Sequence, residues 1–144
     1  MITADDLTFL RRAIGIAAAA ITTGDDPYGS LLVGPQGEVL IEAHNTVRRD
    51  NDITAHPELK LARWAARELD PDAAARTTMY TSCQPCGMCG GAIDRSGLGR
   101  VVYALSTGQL ESLNPASAWP TVPLDGPALF DEARLPIDAY YGKG

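Results

Sequence analysis

The sequence predicts an α/β fold in which a mixed sheet is covered by helices. Three observations predict it. Two short β-prone runs flank a Gly-Pro-Gln-Gly turn at residues 34–37, as in a hairpin. The stretch from about Thr54 to Leu69 carries apolar residues at helical spacing. Two further β-prone runs, Thr77 to Ser82 and Arg100 to Leu105, are separated by a segment of helix length. Together they make a β-α-β-α-β series.

Each element has its own signal. Thr3 is placed to cap a first helix, with Asp5 and Asp6 in the first turn and Ile14, Ala17, Ala18 and Ile21 available for a buried face. Gly24 to Gly29 reads as a loop, followed by strands over Ser30–Val33 and Glu38–Ala43. In the 54–69 helix, Leu59, Leu61, Ala62, Ala65, Ala66 and Leu69 are the apolar set and Lys60, Arg63, Arg67 and Glu68 the solvated one; Asp70-Pro71 ends it. A helix is expected from Cys86 to about Arg95. After Thr107 the pattern fades, and Pro115, Pro120, Pro123 and Pro127 disfavour regular structure. Residues 113–144 are therefore expected to be a less regular tail or lid, with a helical turn or two over Leu129–Leu135, attached to a single domain spanning 1–144.

The chain has 144 residues, 45% of them hydrophobic and 21% charged, which suits one globular domain. No apolar run approaches the roughly 18 residues of a membrane span. The acidic start, Met1-Ile2-Thr3-Ala4-Asp5-Asp6, is unlike a signal peptide. Three cysteines fit a reducing, cytoplasmic setting better than a disulfide scaffold. A net charge of −6 and a pI near 4.7 argue against a nucleic-acid partner. Arg11-Arg12 and Arg48-Arg49 are the basic doublets, read as solvated faces rather than phosphate contacts.

The chemistry is concentrated in His56-Pro57-Glu58 and Pro85-Cys86-Gly87-Met88-Cys89. An imidazole and two thiolates offer three corners of a tetrahedron suited to Zn²⁺, and a corner left to water marks a catalytic site. A water held there becomes acidic enough to supply hydroxide near neutral pH. Glu58, two residues from His56, is placed to move its proton. Pro57 suits the first turn of a helix, which would set His56 and Glu58 at that helix's N-terminal mouth. Cys86 and Cys89, three apart, would share one side of a second helix start, where the dipole favours thiolate. Other readings exist. Cys83 would complete a closed four-ligand knuckle, and a lone C-x-x-C can be redox-active. An iron–sulfur run would need a fourth cysteine, which the 3 present do not supply. Glu58 argues against a purely structural site, and Cys83 is read as a small buried residue.

The pattern H-x-E followed by P-C-x-x-C is that of the zinc deaminases, and the chain resembles the cytidine deaminase-like superfamily. It is most similar to the branch holding guanine deaminases, fungal-type cytosine deaminases and tRNA adenosine deaminases. The matching residues are Pro27-Tyr28-Gly29, His44-Asn45, His56-Pro57-Glu58, Thr81 through Cys89 and Val101-Val102-Tyr103-Ala104, covering roughly residues 5–105. The resemblance implies a three-layer α/β/α sandwich, a tightly bound zinc, and a homodimer or larger assembly whose neighbour helps wall the site. It makes His56, Cys86 and Cys89 the zinc ligands and Glu58 the proton shuttle. It aligns Asn45 with an asparagine that reads the polar edge of the substrate ring, and Tyr28 with an aromatic near the pocket. Trp119 is a candidate lid aromatic.

Two departures bear on the substrate. The branch usually has Ala or Gly between the His and the Glu, where the backbone N–H can donate to the substrate; Pro57 has none. The tail is unlike the acidic and aromatic C-terminal residues that close over the base in the guanine and cytosine enzymes, with Asp131, Glu132, Asp138, Tyr140 and Tyr141 as unaligned candidates, and a basic final helix of the tRNA type is missing. The expected activity is hydrolytic deamination of a free amino-substituted ring of guanine, cytosine or triazine type. The alternatives are a tRNA or nucleic-acid deaminase and a non-catalytic zinc-stabilised domain.

Overall fold

The computed structural model describes residues 1–142; Lys143 and Gly144, the end of the expected tail, lie outside it. Helix α1 (Ala4–Thr22) leads into strands β1 (Gly29–Val33) and β2 (Val39–His44), then the short helix α2 (Val47–Asp50). Helices α3 (Pro57–Glu68) and α4 (Pro71–Ala75) precede β3 (Thr78–Cys83), α5 (Gly87–Ser96) and β4 (Arg100–Leu105). Helix α6 (Thr107–Leu113), a 3₁₀ turn (Pro115–Ser117) and α7 (Phe130–Tyr141) follow.

The sheet order is β2-β1-β3-β4, with β1 antiparallel to both neighbours and β3 parallel to β4. The sheet is thus mixed. Side chains alternate across it, so the adjacent Leu31 and Leu32 serve two different cores. Leu31, Val33, Tyr80 and Val102 meet Leu10 and Ala13 of α1. On the other face Leu32 and Met79 meet Leu61, Ala62 and Ala65 of α3 and Ile93 of α5. This is the expected three-layer sandwich. Gly29 is required where β1 meets α1, because a Cβ there would stand 2.6 Å from Ala17 N and 2.7 Å from Ala13 O.

Several expectations are corrected. The buried residues of α1 are Asp6, Leu10, Ala13, Ala17 and Ala20, whereas Ile14, Ala18 and Ile21 face outward. The helix is apolar on too many sides for its period to fix its phase. A polar contact fixes it instead: Asp6 accepts from Tyr80 Oη at 2.7 Å and from both terminal nitrogens of Arg100, at 2.8 and 2.9 Å. The helix expected from Thr54 starts at Pro57, since residues preceding proline avoid the helical region. Helices α2, α4 and α6 were not expected, and α7 runs twelve residues rather than one or two turns. Arg48 and Arg49 are exposed, as expected, and also form ion pairs with Asp26 and Asp25. No helix among the described residues is long and apolar enough to cross a membrane.

Candidate active site

The topology gathers the chemistry at one edge of the sheet. Strands β3 and β4 both end there, and ligand sites in α/β sheets lie beyond the carboxyl ends of parallel strands. The antiparallel β1 begins at the same edge, with Gly29 opposite His44 at the end of β2. Tyr28, Asn45, the 84–86 turn and the start of α6 consequently surround one space.

Two helix N-termini point into it. Pro57 is the first residue of α3, where its missing N–H costs no hydrogen bond, and it holds His56 extended at φ −83°, ψ 144°. Cys86 caps α5, its Sγ accepting from Cys89 N at 3.5 Å. His56 Nδ1 lies 3.7 Å from Cys86 Sγ and 3.5 Å from Cys89 Sγ. In a tetrahedral zinc site with usual bond lengths, a nitrogen and a sulfur ligand stand about 3.6 Å apart. The donor set therefore fits zinc in both chemistry and spacing. Cys83 is buried at the end of β3 and is not in this group.

Electrostatics follow from the packing. Hydrogen bonding with Cys89, opposed by burial and aided by His56, pulls the Cys86 thiol below its usual range. Glu58 is 7% exposed, and burial pushes its carboxyl up to about 7. Burial and neighbouring negative charge likewise raise the Tyr28 hydroxyl.

Beside the donor group is a cavity of about 560 Å³. Tyr28, Asn45, Pro57 and Glu58 line it, and so does Trp119. The Trp119 ring centroid is 5.8 Å from that of His56, tilted by 52°. Asn45 Oδ1 accepts from Val47 N at 2.9 Å, which fixes the amide orientation and turns its Nδ2 donors away from that bond. Seven of the eight residues singled out in the sequence line this space, and the eighth, Cys89, is buried beside it within reach of His56. Sequence reasoning missed Glu111 and Asn114, which α6 and its end add to the wall. The signal for α6 was present as a capping box, Ser106 with Gln109. Gln84 anchors this wall: its backbone N donates to Leu105 O at 2.7 Å and its side-chain Oε1 accepts from Thr107 N at 2.9 Å.

Comparison with known proteins identifies the family and the fold. Residues 3–105 match the cytidine and deoxycytidylate deaminase zinc-binding region. A probable cytosine deaminase of Schizosaccharomyces pombe is 32% identical, over 96% of this chain and 94% of that protein. A tRNA-specific adenosine deaminase of Buchnera aphidicola is 36% identical, over 76% of this chain and 72% of its own length. The guanine deaminase of Bacillus subtilis is 39% identical over 60% of this chain, a match that spans only 55% of that protein. Its X-ray structure superposes with a TM-score of 0.76 at 30% identity, covering 94% of this chain and 92% of that one. The chain belongs to the cytidine and deoxycytidylate deaminase family of zinc-dependent, hydrolytic aminohydrolases.

Proposed function

We propose that this chain deaminates a free amino-substituted nucleobase or related planar heterocycle, of guanine, cytosine or triazine type. One observation carries the choice of a free base. The cavity is lined by Asp26, Glu58 and Glu111 and by no Lys or Arg among the described residues. A nucleotide or an RNA backbone would bring phosphate against that acidic wall, where binding normally depends on cations. The volume of about 560 Å³ lies in the range of small-molecule sites.

In this reading His56, Cys86 and Cys89 hold the zinc ion, which when bound supplies a water acidic enough to attack at neutral pH. Glu58 would take one proton from the attacking water and give it to the ring nitrogen, then take the second from the newly added hydroxyl and give it to the leaving amine. A C–O bond forms at the amino-bearing ring carbon, the C–N bond breaks, and ammonia departs. Asn45 Nδ2 donates to an acceptor on the ring edge, while Tyr28 and Trp119 pack against the ring faces. Pro57 forms a wall without a donor.

The assembly we infer is a homodimer. Helix α7 buries none of its residues, and Leu129, Phe130, Tyr140 and Tyr141 are exposed on or beside it. That much apolar surface is better covered by a second copy than by water. The three free cysteines suit the cytoplasm.

The test is ammonia release from zinc-loaded protein offered guanine, cytosine, aminotriazines, their nucleotides and tRNA. Turnover is expected with a free base. It should fall by about 10² or more in Glu58→Gln with zinc content unchanged. Turnover on tRNA or nucleotides alone would replace this reading.

A further inference from the structure

The pocket wall that carries Tyr28 and Asn45 is built from two separate loops, and a buried carboxylate outside the pocket ties them together. The Asp25 side chain is 2% exposed. Its Oδ2 lies 2.9 Å from His44 Nε2, accepts from Thr23 Oγ1 at 2.9 Å and is paired with the Arg49 guanidinium. His44 and Arg49 flank Asn45 in sequence, so Asp25 grips the second loop on both sides of that residue. Two further bonds close the seam: Arg48 Nε donates to Asp26 Oδ1 at 2.8 Å, and Asn45 N donates to Tyr28 O at 3.0 Å. On the far side, Lys60 Nζ of α3 donates to His44 O at 2.9 Å. The second loop is therefore held to the first loop and to the helix that begins at the zinc ligand.

We propose that Asp25 is a positioning residue for substrate binding: through His44 and Arg49 it fixes Asn45 relative to Tyr28, and so sets the width of the slot that accepts the ring. The inference rests on the role given above to Asn45 and Tyr28. A carboxylate buried this far is costly unless its partners are held in register, and removing one partner leaves a buried group unsatisfied. The reacting groups are not in this network. Losing Asp25 should therefore loosen the wall and leave proton transfer by Glu58 intact.

The experiment compares full-length, zinc-loaded wild type with Asp25→Asn, Arg49→Ala and Arg49→Lys. Amide hydrogen exchange is followed by peptide, and steady-state deamination is measured on the best base from guanine, cytosine and the aminotriazines. In Asp25→Asn, exchange at residues 24–29 and 44–52 should speed up about tenfold or more, while strands β3 and β4 keep their protection. KM should rise about tenfold with kcat within about threefold. Arg49→Ala should shift both readouts the same way, and Arg49→Lys should recover most of the KM. Faster exchange across the whole sheet would show Asp25 to be a general stabiliser and overturn the proposal. So would loosened loops with an unchanged KM. If wild type releases ammonia from none of these bases, the functional reading fails, and the exchange data alone decide whether Asp25 joins the loops.

Discussion

Trp119 stands over His56 with ring centroids 5.8 Å apart and a tilt of 52°, so the proline-rich segment delivers an aromatic ring to the metal-binding corner. Trp119 is nevertheless 57% exposed, and it lines the cavity. Trp119→Ala should raise KM for the preferred base about five- to tenfold, in line with the usual worth of base–aromatic stacking. Trp119→Phe should retain most of the affinity. Kinetics and zinc content of both variants check this, and an unchanged KM in Trp119→Ala would remove the residue from the substrate slot.

The purified protein should carry about one zinc per chain from three protein ligands. His56→Ala, Cys86→Ala and Cys89→Ala should each lose most of the metal, whereas Cys83→Ser should keep it. Elemental analysis reads the outcome directly. Metal loss from the Cys83 variant would mean a closed, structural site.

Pro57 is fully buried in the wall between His56 and Glu58, and it offers a bound ring no N–H. A ring carbonyl that meets this wall unpaired is penalised by about 1–3 kcal/mol, enough to reorder preferences among similar bases. Pro57→Ala restores a donor at the same place. Its kcat/KM for a base disfavoured by the wild type, guanine or cytosine, should rise relative to the preferred one. Equal ratios in the two proteins would leave Pro57 as a helix-start residue only.

Asp6 is held well below the usual carboxylate range, first by its paired hydrogen bonds with Arg100 and against the effect of burial. A depressed folded-state pKa adds stability that is fully present above the ordinary carboxylate value of about 4 and is lost as pH falls toward the folded one. Asp6→Asn should therefore cost about 1–3 kcal/mol at pH 7. The gap between variant and wild type should narrow steadily below about pH 4. Urea unfolding at several pH values measures it; a gap independent of pH would show that the charge of Asp6 contributes nothing.

The metal motif was legible because its chemistry demands fixed residue types at fixed spacing, and Pro57 and Pro85 announce the local backbone beside it. The four strands along the chain and a helix over 54–69, observed as 57–68, were legible from periodicity, whereas the order β2-β1-β3-β4 in the sheet was not. The phase of α1 was not, since Ile14 and Ile21 are as apolar as the positions that are buried, and a contact between Asp6 and Arg100, distant in sequence, decides the matter. Helix α2 is four residues long and carries no period at all. The pairing of Asp25 with Arg49 was invisible for the same reason: charges in two loops reveal a partner only once the sheet brings the loops together. Trp119 was legible as a candidate, but only the fold places it beside His56.

The bonds that Gln84 makes to Leu105 and Thr107 end on main-chain atoms: a carbonyl that any residue at 105 provides, and an N–H that any residue but proline at 107 provides. Substitutions throughout α6 and the segment after it can accumulate without unfastening that junction. The floor that carries His56, Cys86 and Cys89 and the cover that α6 begins are thus separable: side chains of the cover can change while the floor and the fastening between them stay the same.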